Sequence, residues 1–97
     1  MADQILRSKI ASCLNEITEG TRYTWHFEPN YPHFDFGRMD SWFISDTKHE
    51  RPGGWFNERS YFQNTGGGFF GSAAGDPCIA AKRLMEYLLD RDVRFDG

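Results

Sequence analysis

The sequence predicts an α+β domain in which two helices cover one face of an antiparallel β-sheet of three to five strands. An amphipathic helical pattern stands near each end of the chain, and between them aromatic residues alternate with polar ones, as they do in half-buried strands. Ninety-seven residues are enough for one small hydrophobic core. We therefore expect residues 1–97 to form a single domain in the order helix, strands, helix.

The first helix is predicted over residues 3–19. Asp3 is placed to cap its free amides, and Gly20 is placed to end it. The apolar positions recur at helical spacing and would form one buried stripe. That stripe consists of Leu6, Ile10, Cys13, Leu14 and Ile17.

The second helix is predicted over residues 76–90 and is the clearest element of the sequence. Asp76 can cap it, and Pro77 suits the first helical position, where no N–H is needed. Its apolar stripe consists of Ala81, Leu84, Met85 and Leu88. Residues 91–97 are expected to form a polar tail that frays, unless Val93 and Phe95 pack back on the sheet.

The strands are predicted from alternation and from turn residues. Residues 21–28 alternate as a strand, and residues 29–32, Pro-Asn-Tyr-Pro, should then turn the chain. Residues 33–36 alternate again and would return as a second strand that Gly37 closes or bulges. Residues 41–45 would be a third strand or a continuation of the second.

The second half of the sheet is expected to follow a long polar loop over residues 46–54, which ends in Pro-Gly-Gly. A strand is predicted over residues 59–63 and a glycine-rich turn over residues 64–68. Residues 69–72 would form a short returning strand.

The composition disfavours several classes of function. The net charge of −3 is spread evenly along the chain without a basic stripe, which argues against an extended nucleic-acid interface. No apolar run approaches the roughly 20 residues that span a bilayer, so no membrane is expected. Residues 1–4 lack the basic start of a signal peptide, which predicts a cytoplasmic protein. In that compartment Cys13 and Cys78 would be free packing thiols.

Three patterns that could carry chemistry have simpler explanations. Gly66–Gly71 fits G-x-G-x-x-G, but the next helix begins too late for a dinucleotide site, so a hairpin turn is favoured. Cys78 stands at a helix start but is expected to be buried and inert. Five residues could in principle contribute to a metal site, namely His26, His33, Asp35, Asp46 and His49. They form no tight ligand motif, so the polar, solvated face of a strand is the favoured interpretation. We therefore predict neither an enzyme nor a cofactor or metal.

The aromatic content is the unusual feature of the composition. Nine Phe, four Tyr and three Trp exceed what one small core should need. The middle of the chain combines aromatic residues with arginine, as interface hot spots do, although burial in the core remains an equal alternative. The predicted partner-binding residues are Trp42, Asp46, Glu50, Arg51, Trp55, Phe56 and Arg59.

The entry to the second helix carries a resemblance. Residues 75–82 read Gly-Asp-Pro-Cys-Ile-Ala-Ala-Lys, which is similar to the start of the final helix in some small phage-encoded inhibitors, among them anti-CRISPR proteins. The resemblance implies a non-enzymatic protein, monomeric or homodimeric, in the host cytoplasm. It would bind a host protein or ribonucleoprotein stoichiometrically and so block a nucleic-acid-targeting defence complex such as CRISPR–Cas.

The order helix, strands, Ala-containing helix also resembles a double-stranded-RNA-binding domain, which supplies the alternative function. In that family a lysine-rich start of the last helix contacts phosphates. Residues 74–79 read Ala-Gly-Asp-Pro-Cys-Ile here, with an acid and no lysine. The topology resembles the family and the chemistry does not, so direct nucleic-acid binding is the second hypothesis.

Overall fold

The computed structural model describes residues 4–33, 36–65 and 70–95 and confirms the predicted α+β fold. One helix precedes and one follows a five-stranded antiparallel sheet, in which each strand pairs with the next strand along the chain. The predicted Asp3 cap lies outside the described residues. The elements are α1 (Gln4–Thr18), β1 (Tyr23–His33), β2 (Gly37–Asp46), β3 (Arg51–Asn57), β4 (Tyr61–Asn64), β5 (Phe70–Ser72) and α2 (Pro77–Phe95).

The core lies between the helices and one face of the sheet. Trp42 and Phe56 sit at its centre on paired strands, with their ring centroids 5.2 Å apart and nearly parallel. The predicted stripe of α2 is buried against them, and the α1 residues Ile10 and Leu14 complete the layer. Burial of these apolar side chains is the main source of stability.

The predicted loop over residues 46–54 is wrong. Asp46 ends β2, residues 47–50 form a short turn, and β3 begins at Arg51. The glycines of the Pro-Gly-Gly stretch serve a different purpose, because α2 crosses this strand closely. A Cβ on Gly54 would lie 2.5 Å from the Gln63 carbonyl oxygen and 2.9 Å from Leu84 Cδ1, so no other residue fits.

The predicted turn at residues 29–32 is also wrong, because β1 continues through both prolines to His33. β1 is an edge strand, and edge strands tolerate proline where its nitrogen faces away from the neighbouring strand. A bulge between Glu28 and Tyr31 absorbs the irregularity, with Asn30 at a φ of 50° and its N–H donating to Asp40 Oδ1 at 2.9 Å.

The predicted second strand over residues 33–36 is displaced as a result. His33 belongs to β1, Phe36 lies in the turn, and Gly37 begins β2. Phe34 and Asp35 lie outside the described residues. Residues 41–45 are therefore the continuation of one strand, which was one of the two alternatives.

The last strands agree more closely with prediction. β4 is shifted by one or two residues from the predicted 59–63, and Arg59 lies in the preceding turn. β5 confirms the short returning strand. Of the predicted turn over residues 64–68, Asn64 still belongs to β4 and residues 66–68 lie outside the described part of the chain.

Helix α2 begins where predicted but extends further, to Phe95 instead of residue 90. The Asp76 cap is confirmed, since its Oδ1 accepts from the Cys78 and Ile79 amides at 3.0 and 3.3 Å. At the other end Asp92 ties the added turn to β1, accepting from the Tyr23 hydroxyl at 2.8 Å and from Arg22 Nη2 at 2.6 Å. Val93 does not pack back on the sheet and is 74% exposed.

The prediction of free thiols is wrong, because Cys13 and Cys78 form a disulfide. The prediction came from the expected compartment, whereas the packing of α1 against the start of α2 brings the two Cα atoms to 6.2 Å. That distance is normal for a disulfide. The bond joins the helices to each other on the covered side of the sheet.

The packing of α2 predicts a contrast between two leucines of this helix. Leu84→Ala should lower the free energy of unfolding by about 2–5 kcal/mol, because Leu84 is fully buried. Leu89→Ala is the matched control, since Leu89 is 42% exposed and should cost well under half as much. Urea unfolding followed by circular dichroism measures both. Equal midpoints for the two variants would contradict the packing.

The disulfide predicts the result of a mass measurement. Alkylation of the denatured, unreduced protein should add no mass, whereas alkylation after reduction should add two groups, one on Cys13 and one on Cys78. Two groups added without reduction would contradict the bond.

Candidate functional site

The sheet has a second face that neither helix covers, which we call the open face. Phe43 pairs with His26 on one side and with Trp55 on the other, so these three side chains share one face. The neighbouring residues Trp42 and Phe56 point into the core. Because side chains alternate along a strand, the register assigns every strand residue to the core or to the open face.

Aromatic rings form a continuous network on the open face, which we call the aromatic network. The closest ring centroids are 4.5 Å apart for Phe36 and Tyr61, 4.7 Å for His33 and Trp55, and 4.8 Å for Tyr31 and Phe43. Among the described residues, its eight members are His26, Tyr31, His33, Phe36, Phe43, Trp55, Tyr61 and Phe70.

The tip of the β1–β2 hairpin bends over this face. Pairing between β2 and β3 ends at Ser41 and Asn57, so the hairpin continues beyond β3. Even so, Tyr31 reaches back to Phe43, and His33 reaches Trp55. The bulge at the middle of β1 explains the bend, because a bulge curves its strand and increases the local twist.

A hydrogen bond holds the bent tip in place. His33 Nε2 lies 2.6 Å from Ser41 Oγ, and the Ser41 hydroxyl donates to the Met39 carbonyl at 3.1 Å. The imidazole therefore donates from Nε2–H to the serine oxygen. Burial lowers the pKa of His33, so the ring is neutral at pH 7.

The open face carries little charge. Within the described ranges, the register places one carboxylate there, Glu28, and neither lysine nor arginine. Glu28 Oε1 lies 3.4 Å from His26 Nε2. Phe70 is 53% exposed and Tyr31 is 37% exposed, whereas Phe43, Trp55 and Tyr61 are half-buried. The surface is thus aromatic, carries little charge and is partly open to solvent.

The structure separates the residues predicted to bind a partner. Trp42 and Phe56 are buried in the core, and Asp46 is buried beneath the β2–β3 turn, so direct contact with a partner is excluded for these three in this fold. Glu50 is exposed in that turn, and Arg51 is exposed where β3 begins. The two remaining members lie elsewhere, Trp55 on the open face and Arg59 in the β3–β4 turn.

Most of the aromatic network was not predicted. If the glycines had been recognised as part of β3, strand alternation would have placed Trp55 and Phe56 on opposite faces. Pairing with the neighbouring strands would then have placed Phe43 and Tyr61 on the same face as Trp55. Tyr31, His33 and Phe36 reach the open face through the bend of the hairpin, for which the sequence offers only the Pro-Asn-Tyr-Pro irregularity.

Buried Asp46 organises the opposite end of the sheet. Its carboxylate lies 3.0 Å from Arg22 Nε and 2.9 Å from His49 Nδ1, and the Lys48 amide donates to it at 3.1 Å. Arg51 Nε approaches to 3.3 Å. Burial alone would raise the pKa of Asp46, but the bonds from His49 and the charge of Arg22 hold it below its usual value.

The candidate metal and nucleotide residues are also placed. His26 and His33 lie on the open face, His49 pairs with Asp46, and Asp35 lies outside the described residues. The described residues contain no group of three ligands that could hold a metal. Gly71 fits against Phe62, where a Cβ would lie 2.8 Å from the ring, which gives this glycine of the G-x-G-x-x-G pattern a packing role.

Comparison of the chain with protein-family models, with curated proteins and with solved structures finds no match. No helix in the described ranges is both long and apolar enough to cross a membrane.

The Asp46 cluster predicts a pH-dependent stability. Asp46→Asn should lower the free energy of unfolding at pH 7 by about 2 kcal/mol, because charged hydrogen bonds are lost. Since the pKa of Asp46 is lower in the folded state, its contribution is present above the usual aspartate pKa of about 4 and disappears as the pH falls through the folded value.

Denaturant unfolding between about pH 7 and pH 2 should therefore bring the wild-type and Asp46→Asn curves together at low pH. Asp90→Asn is the control, because the Asp90–Arg94 pair is exposed and should contribute little. A constant difference across the whole range would contradict the role given to Asp46.

Proposed function

We propose that this chain is a small non-enzymatic binding protein that blocks a partner by occupying it stoichiometrically through the open face. The aromatic network is the observation that supports this proposal. Interface cores are enriched in aromatic residues and depleted of charged ones. A fixed set of half-exposed rings with one carboxylate among them has that composition.

The contacts among the rings of the network favour binding. The rings of Phe43, Trp55 and Tyr61 stand on paired strands, and each contacts another ring. Side chains that are already ordered lose little conformational entropy when a partner binds. Much of the contact energy is then available for affinity, as in interface hot spots.

The proposed partner class is a host protein or ribonucleoprotein that targets nucleic acid, such as a CRISPR–Cas complex. This part of the proposal follows from the resemblance of residues 75–82 to phage-encoded inhibitors, which also makes the host cytoplasm the proposed site of action.

The disulfide has to be considered in that location. Cytosolic thiols are usually reduced, so the cytosol would favour reduction of the bond between Cys13 and Cys78. The disulfide lies on the covered side of the sheet, opposite the open face. Besides this bond, the burial of Ile10 and Leu14 in the core also holds α1 in place.

Nucleic-acid binding is the second candidate, because aromatic rings on a sheet can stack on unpaired bases. Two observations count against it. Asp76 occupies the amides at the start of α2, where a phosphate would otherwise bind. The described side chains of the open face also offer no lysine or arginine to phosphates.

The proposal predicts the effect of changing two rings of the open face. In cells whose CRISPR–Cas system restricts a phage, expression of the chain should restore plaque formation, and Trp55→Ala with Tyr61→Ala should abolish that effect. Affinity for the purified complex should fall by at least about tenfold, as hot-spot residues are lost. Inhibition should saturate at a fixed molar ratio.

Two controls make the experiment decisive. Ile79→Ala alters an exposed apolar residue of α2, on the side away from the open face, and should change nothing. Glu50→Ala with Arg51→Ala tests the turn that was predicted from sequence. Inhibition lost only in the turn variant would move the binding site to that turn. Salt-dependent gel shifts of free RNA or DNA, with no effect on immunity, would favour the second candidate.

A further inference from the structure

We propose that the open face binds an arginine-bearing segment of a protein partner, with guanidinium groups stacked on rings of the aromatic network. This inference rests on the proposed function and adds the chemistry of the partner. The observation that supports it is that exposed rings share this face with a carboxylate, whereas its described residues include no lysine or arginine.

Charge complementarity selects a cationic ligand. Glu28 is the acidic side chain of the described open face, and it stands across from Ser41 at the edge of the network. The chain as a whole carries a net charge of −3. A phosphate-bearing ligand would find no lysine or arginine among the described side chains of this face. An arginine would meet a carboxylate and ring faces that attract cations.

The rings offer suitable faces. Phe36, Tyr61 and Phe70 are stacked, with Phe70 exposed by 53%. At the other side of the network, Tyr31 stands nearly edge-on to Phe43, at 67°, and is itself 37% exposed. A partner side chain can therefore reach rings at two separate places on the same face.

The chain already uses the same pairing on its own covered side. The Arg7 guanidinium lies 5.0 Å from the centroid of the Phe27 ring, and that of Arg22 lies 5.6 Å from the Tyr23 ring. Arginine suits this role better than lysine, because its planar group stacks on a ring while its N–H groups still reach carboxylates and carbonyls. Gln63 and Glu28 supply such acceptors on the open face.

The test is a titration of the full-length protein with four probes, followed by the indole N–H signals in NMR spectra. The probes are a peptide of arginines spaced by glycine, the matching lysine peptide, the matching peptide of neutral citrulline, and a ten-residue oligothymidylate. Trp55 reports on the open face, whereas Trp42 is buried and the Trp25 indole donates to Asn15 at 3.0 Å.

The arginine peptide should shift the Trp55 signal and bind at least about fivefold more tightly than the citrulline peptide, with the lysine peptide between them. Trp55→Leu and Phe70→Leu each keep every charge but remove a ring, and each should weaken the arginine peptide by about fivefold. Leu89→Ala, on α2, should leave its affinity unchanged.

Other results overturn the inference. Equal affinity for the arginine and citrulline peptides would show that the positive charge is not recognised. Unchanged binding by both ring variants would show that the arginine peptide does not stack on these rings. Preference for the oligothymidylate would assign the face to single-stranded nucleic acid. If the arginine peptide does not bind while the double variant Trp55→Ala, Tyr61→Ala still loses inhibition, this inference is wrong and the proposed function stands. If the peptide binds the open face but that double variant inhibits normally, the proposed function is wrong.

Discussion

The close approach of α2 to β3 at Gly54 determines the arrangement of the rest of the molecule. With no side chain there, Leu84 comes against the strand backbone and α2 lies across β3 and β4. That contact decides which face of the sheet becomes the core. Since side chains alternate, Phe56 is then buried and Trp55 must emerge on the opposite side.

The surplus of aromatic residues follows from this two-layer construction. One layer of helices can cover one face of a sheet, and the covered side holds Tyr23, Trp42, Phe56 and Phe62, with Trp25 and Phe27 packed against this core. The remaining strand aromatics have no second layer to enter. The chain limits their contact with water by bending the β1–β2 tip over them, which leaves a surface that is neither fully core nor fully exposed.

The helices could be predicted because their signals are local. Asp76, Pro77 and the apolar spacing of α2 act within a few residues of one another, and the cap is seen as expected. The strands near Pro29 and Gly53 could not, because their structure depends on distant partners. Proline is tolerated in β1 since that strand is an edge, and glycine is required in β3 since a helix more than 20 residues later in the sequence presses on it. The disulfide likewise depends on a contact between residues that are 65 positions apart.

The edges of the sheet offer little backbone for pairing with another chain, which fits the proposed binding through side chains. β1 is one edge, and its two prolines and its bulge interrupt the row of groups that an added strand would need. The other edge, β5, has only three residues in the described part of the chain. Strand addition is thus disfavoured at both sides. The recognition chemistry available to the sheet lies on its open face, where the ring positions are set by strand register and by the bond from His33 to Ser41.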